Sequence, residues 1–388
     1  MKKILFGAAF AASFCLFSLK PAAAQQDAYV QFVKGNISDK ISAVKTSGDG
    51  GLAKKAVDFV IENSEVLKND RDLAALAVAG ILSYPADVYQ KDPAAAYQDF
   101  TKVFYGIDDM NVKVSVLDKI SALYELRAAP DWTAFVNGFL AQEISSGGAA
   151  DESVKKAVVA IGVVGNGSSF TVLYSILRQN IWAELHQSVN DSLTKIADKS
   201  LNEIFDVADK ADFVELKLLS KIFVKNDKLS AALRSEIAEK LLNRSMILSG
   251  NSSNSQDLPV FQLEEATVLA QNKWTRAGSL AKDYFSVAKG AYNAKLLSPE
   301  QFTAAISCVE VLASRQAVAP LSDYLDQMNK AQEAGNSPDK AVVLAVINAL
   351  ANLGDKSSFD CLLYVTYVKD YPEEVAVAAR NALTRLKW

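Results

Sequence analysis

One histidine and three cysteines in 388 residues leave little room for several kinds of chemistry. A lone His186 argues against a His-based triad and against a His-rich metal site. No two cysteines stand at metal-ligand spacing, and neither GxGxxG nor GxxxxGK occurs. Positive charge is not in excess: 41 Lys and Arg face 45 Asp and Glu, a formal net charge of −4. Nucleic acid and anionic membrane are therefore poor partners. Tryptophan is sparse, at four residues, whereas sugar clefts usually stack several aromatics. Beyond the N-terminus no apolar run nears the roughly 20 residues of a membrane span. The sequence points to no catalytic residue, no metal ligand and no cofactor.

The N-terminus reads as an address. Lys2 and Lys3 precede an uncharged run from Ile4 to Leu19, then Lys20, Pro21 and Ala22-Ala23-Ala24. Charged start, apolar middle and small-residue end describe a secretory signal peptide over residues 1–24. Phe14 before Cys15 is too bulky for a lipobox. Cleavage after Ala24 removes Lys2, Lys3 and Lys20 and no acid, which moves the formal charge from −4 to −7. The expected location is periplasmic or secreted.

What is abundant is a repeated helical stripe. KAVVAIGVVG from Lys156, AVINALANLGD from Ala345 and AARNALTRL from Ala378 are its clearest copies. With Ile161 as the register mark, the series runs Ile41, Ile81, Ile120, Ile161, Leu193, Ile222, Leu269, Val309, Leu350 and Leu383. The intervals centre on about 40 residues, a spacing typical of stacked helical arrays. Around each mark the apolar residues fall at helical spacing: Val154, Ala157, Ile161 and Val164 in one copy, Val343, Val346, Leu350 and Leu353 in another. Small residues recur four positions before the mark (Ala77, Ala157, Ala305, Ala379), where neighbouring helices can approach closely. Gly165 and Gly354 follow the stripe where a left-handed cap is expected. A second apolar helix comes next, as in Phe170–Leu177, Ala317–Met328 and Phe359–Val368. One hairpin cannot bury both faces and must stack on its neighbours.

Asp151 to Leu177 and Asp339 to Val368, with Pro338 and Pro372 before first helices, give a pattern that resembles HEAT or armadillo-type repeats. The resemblance implies an all-α fold, an α-solenoid of about nine to ten HEAT-like helical hairpins with a groove that usually binds proteins. It implies no chemistry. The intervals shorten and then stretch between Asn190 and Leu258, where a kink, an irregular pair or a break is expected. The polar run 249–258 divides the mature chain into arrays 25–248 and 259–388, continuous or linked through that loop.

Several residues keep two readings. Cys308 and Cys361 are either small buried hydrophobes or a bonded pair. Asp108-Asp109, Glu264-Glu265 and Glu373-Glu374 sit near expected helix starts, where carboxylates favour the helix dipole; the alternative is calcium. Tyr364, Tyr367 and Tyr371 fall at i, i+3 and i+7 on one face of a second helix, and Tyr97 and Tyr105 belong to a second aromatic cluster with Phe100 and Phe104. Each cluster is either inter-repeat packing or an exposed surface for a partner. The leading functional expectation is a non-catalytic periplasmic binding or scaffold protein with a protein partner in the periplasm or cell envelope. The alternative is an exported α/α-toroid enzyme cleaving polysaccharide with paired carboxylates.

Overall fold

The computed structural model describes residues 22–67, 70–128, 130–250 and 257–387. The expected leader lies outside the described residues as far as residue 21, as do residues 251–256 of the polar run. Its last three alanines, Ala22–Ala24, stand in the first turn of a helix.

Acidic and amide side chains start the helices. Asp49, Asp70, Asp92, Asp109, Asp212 and Asp339 each accept a backbone N–H two or three residues ahead. Asn36 with Asp39, and Ser298 with Gln301, close reciprocal capping boxes. The expected cap at Gly354 is present, with φ +65°. Gly165 has no positive φ. It is required for closeness instead, because a Cβ there would lie 2.3 Å from the Ile161 carbonyl oxygen.

The fold is all-α, and among the described residues there is no strand, only an isolated bridge between Asp355 and Lys387. By its contacts the chain divides into two units, Met1–Phe139 with Ala150–Ala160, and Leu140–Ala149 with Ile161–Trp388.

In the first unit, α1 (Ala22–Lys34) packs on α2 (Ile37–Ser47). Then follow α3 (Gly50–Asn63), α4 (Arg71–Leu82), the short α5 (Ala86–Lys91), α6 (Pro93–Gly106) and α7 (Met110–Tyr124). First helices stack on first helices, α2 on α4 and α4 on α7, while the second helices α3 and α6 stack on each other. The boundary between units runs through α8 (Pro130–Ser146) and α9 (Glu152–Val164).

The second unit continues with α10 (Gly167–Arg178), α11 (His186–Ile196), α12 (Leu201–Lys210), α13 (Phe213–Leu219) and α14 (Ala231–Gly250). After them come α15 (Leu258–Gln271), α16 (Gly278–Asn293), α17 (Pro299–Ala313), α18 (Val318–Glu333), α19 (Lys340–Leu353), α20 (Phe359–Val365) and α21 (Glu373–Thr384). The same alternation holds: α15, α17, α19 and α21 stack in order, as do α10, α12, α14 and α16. Helices α14 and α15, on either side of residues 251–256, pack directly on each other.

The sequence period is written into the hydrogen bonds. Lys156 Nζ reaches Asp118 Oδ1 at 2.9 Å across 38 positions, and Lys119 Nζ donates to the Leu82 carbonyl at 2.9 Å across 37. In the second unit Asn272 Nδ2 reaches Ser235 Oγ at 2.9 Å across 37 positions, and Asn352 Nδ2 reaches Glu310 Oε1 at 3.0 Å across 42. The register marks from Ile81 to Leu350 are all buried. Ile41 and Leu383 are only half-buried, because each stands at an end of the series.

The irregularity expected after Asn190 has a structural form. Helix α11 closes in a 3-10 turn, Ala197–Lys199, and α13 runs on into a π-helical turn, Ser220–Val224, closed by the Lys225 N–H on the Ser220 carbonyl at 2.9 Å. A π turn carries one extra residue. Here Ser220, Ile222, Phe223 and Val224 are buried, leaving Lys221 outside.

Candidate functional site

Tyr364, Tyr367 and Tyr371 do not share a helix face, which corrects the expectation of a continuous second helix to Val368. Helix α20 ends at Val365, and the chain turns through Asp370, at φ +72°, before α21. The three rings consequently have three environments. Tyr364, 43 % exposed, donates its hydroxyl to Glu333 Oε1 at 2.7 Å, which raises its pKa. Tyr367, in the turn, is 72 % exposed. Tyr371 is half-buried; its hydroxyl donates to Oδ1 of the buried Asn329 at 3.2 Å, and burial pushes it up to about 12. Gln332 Nε2 donates to the Asp370 carbonyl at 3.1 Å and fastens the same turn to α18. Tyr371 is thus structural, while Tyr364 and Tyr367 are presented outward.

The Tyr97 and Tyr105 cluster is core for the greater part. Trp132, on the N-terminal half of α8, is fully buried between Tyr97 and Phe100, with ring centroids at 5.1 Å and 5.7 Å. Its indole N–H donates to the Tyr89 hydroxyl at 3.3 Å. Phe104 meets Phe135 and Phe139 edge-on at 5.0 Å. Tyr97 is half-buried, and Tyr105 alone stands out, 58 % exposed.

The acidic pairs part company. Asp109 caps α7 through two backbone N–H groups at 2.8 and 3.1 Å, and Asp108 lies 3.5 Å from Lys113. Glu373 and Glu374 occupy the first turn of α21, paired with Arg380 and Lys340. Glu264 and Glu265 are not at a helix start; they lie in the middle of α15. Among the described residues no group of three or more His, Cys, Asp and Glu could hold a metal. The His186 Nε2 lies 3.0 Å from the Ile181 carbonyl, to which it donates in the Nε2-protonated tautomer. Cys308 and Cys361 are separate buried thiols, and burial raises both.

Glu265, expected near a helix start, is instead a core residue of α15. It is fully buried, its Oε1 accepts from Ser220 Oγ at 2.5 Å, and its Oε2 is buried without a partner. Burial pushes the carboxyl up to about 8, against a smaller opposing effect of the Ser220 hydroxyl. The signal was available: counted back four from the mark Leu269, Glu265 occupies the position that holds Ala77, Ala157, Ala305 and Ala379 elsewhere.

Two clefts open near this region. One, of about 440 Å³, is lined by Phe205, Glu236, Glu239, Lys240 and Arg276 among others. Two of its acids are already engaged: Glu239 accepts from Trp274 Nε1 at 2.7 Å and from Arg276, whose guanidinium also reaches Glu236 at 3.4 Å. The other, of about 420 Å³, lies along α13, its π turn and α15. No protein-family model, curated protein or solved structure matches the chain.

Proposed function

We propose that the protein is a non-catalytic binding or scaffold protein of the HEAT-like repeat kind, exported after cleavage at Ala24, that engages a protein partner in the periplasm or envelope. The observation that supports this reading is the outward presentation of Tyr367 and Tyr364 beside Glu333 at the C-terminal end of the second unit. Aromatic rings at the surface supply contact area at low entropy cost, and a few such anchors usually carry most of the binding energy. Tyr105 is the corresponding anchor of the first unit. Among the described residues no helix is long and apolar enough to cross a membrane.

The test has two arms. Mass spectrometry of the exported protein should find Gln25 as the first residue; residues 1–24 retained would refute export by cleavage. Quantitative capture of an envelope partner by the mature chain should weaken at least about tenfold in Tyr364→Ala/Tyr367→Ala at unchanged melting temperature. Equal capture by both proteins would remove the tyrosines from the interface.

A further inference from the structure

We propose that the cleft along α13, its π turn and α15 binds a small organic monoanion with an apolar body, its charged end on Lys217 and Lys221 and its body against the apolar surface of Phe213, Val260 and Phe261. This goes beyond a protein-binding surface: it assigns a second site with a different class of ligand.

The walls supply both halves of such a ligand's chemistry. Phe213 and Phe261 pack edge-on at 5.6 Å and, with Val260, give the cleft its apolar lining. Lys217, Lys221 and Lys225 line the same cleft. Lys225 is taken up by Glu264 at 2.7 Å. The Lys217 ammonium sits 4.7 Å from the centroid of the Phe213 ring, and among the described residues neither Lys217 nor Lys221 is in an ion pair. Against the three lysines stand Glu264 and Asp257, so the lining keeps one net positive charge. In a chain whose net charge is −4, this is a local reversal of sign that suits a single negative charge. The volume of about 420 Å³ falls within the range of small-molecule sites.

The base of the cleft is specialised in the same sense. Ser220 lines it and donates a hydrogen bond to Glu265 Oε1 behind, whose Oε2 is buried without a partner. Held neutral by burial, Glu265 puts no negative charge beneath the anion. A buried carboxyl in place of a stripe alanine is a local loss of stability, of the kind proteins retain at binding sites. The π turn that carries Ser220 inward belongs to a class of distortion frequent at functional sites.

The test is calorimetric titration of the full mature chain with decanoate, decanol and inorganic phosphate. Decanoate should bind one to one, with decanol and phosphate at least about tenfold weaker, because each supplies only half of the chemistry. Lys217→Gln/Lys221→Gln should weaken decanoate about tenfold or more while leaving the melting temperature unchanged; the exposed Lys282→Gln on α16 should bind like the wild type. Decanol binding as well as decanoate, a double variant that binds as before, or no saturation by about 5 mM would each overturn the proposal. So would binding to anionic vesicles with none to monomeric decanoate, which would make the lysines a membrane contact.

Discussion

Two stretches of the second unit solve the same packing problem differently. From α17 to α21 the stripe is regular: Ala305, Val346 and Ala379, four residues before their marks, are all buried with no polar atom in the side chain. At α15 the equivalent position holds Glu265, and the preceding first helix inserts a π turn that turns Ser220 inward to meet it. Two positions before the mark, where Ser220 is buried, the regular repeats carry exposed Ser307 and Asn348. One extra residue in the helix and one carboxyl in the stripe therefore belong to one device. Each makes sense only with the other, since an unpaired buried carboxyl or hydroxyl costs free energy that the bond partly offsets.

The harshest way to break the comparison is to move the carboxyl without its serine. Ala305→Glu puts a carboxyl into a regular stripe that is fully buried, and the cost should be roughly 4 kcal/mol or more, enough to unfold the C-terminal repeats. A variant that melts within a degree or two of the wild type would mean the stripe tolerates a carboxyl anywhere, and Glu265 would lose its significance. Next in size is Leu350→Ala. Leu350 is fully buried, and losing its burial while opening a cavity should cost about 2–5 kcal/mol by chemical unfolding. Leu383→Ala should cost about half as much, because that mark is half-buried. Equal costs would show that the end of the series is packed like its middle.

Much of this was legible in the sequence. The period, the all-helical class and the burial of the marks from Ile81 to Leu350 follow from one apolar face repeated every 40 residues or so, and stacking leaves that face only one place to go; Leu383, expected in the core with them, is half-buried. Even the irregular zone was visible as intervals of 32, 29 and 47 residues around Leu193, Ile222 and Leu269. What remained hidden was conformational detail set by tertiary packing. A π turn has no composition of its own, and the Glu264-Glu265 pair looks like any acidic helix start until the register is imposed. The early stop of α20 is equally local: no glycine or proline stands between Val365 and Asp370, and the turn is held from α18 by Gln332 and Asn329. The tyrosines could be found by eye, but their separation into one structural and two exposed rings depends on that turn.

A gentler probe of the irregular pair uses pH. The carboxyl of Glu265 has a pKa near 4.5 when exposed in the unfolded chain and about 8 in the folded one. The folded state therefore holds the proton more tightly. Its stabilising share is complete below about 4.5 and is lost as pH rises towards 8. Wild-type stability should fall across that window, by up to roughly 4 kcal/mol. Glu265→Gln keeps an acceptor for Ser220 and cannot ionise, so its stability should vary less with pH and exceed the wild type's at pH 8. Parallel pH profiles for the two proteins would show that the Glu265 carboxyl titrates normally in the folded chain.

The smallest expected effect lies at the far end of the regular stretch, where two tyrosines four residues apart should behave oppositely. Tyr371→Phe removes a hydroxyl that bonds to Oδ1 of Asn329, whose Nδ2 is already buried without a partner. A buried amide with neither end satisfied should cost about 1–2 kcal/mol. Tyr367, 72 % exposed and outside any helix, has no such debt. Tyr367→Ala should shift the unfolding free energy by no more than about 0.5 kcal/mol, as surface substitutions do. Any loss of partner capture in that variant is then a direct effect on the interface and not the shadow of unfolding. A Tyr367→Ala protein destabilised as much as Tyr371→Phe would place the ring in the packing of α20 against its neighbours. If that destabilised protein, still folded at low temperature, captured its partner at full strength, the tyrosine would have no part in binding.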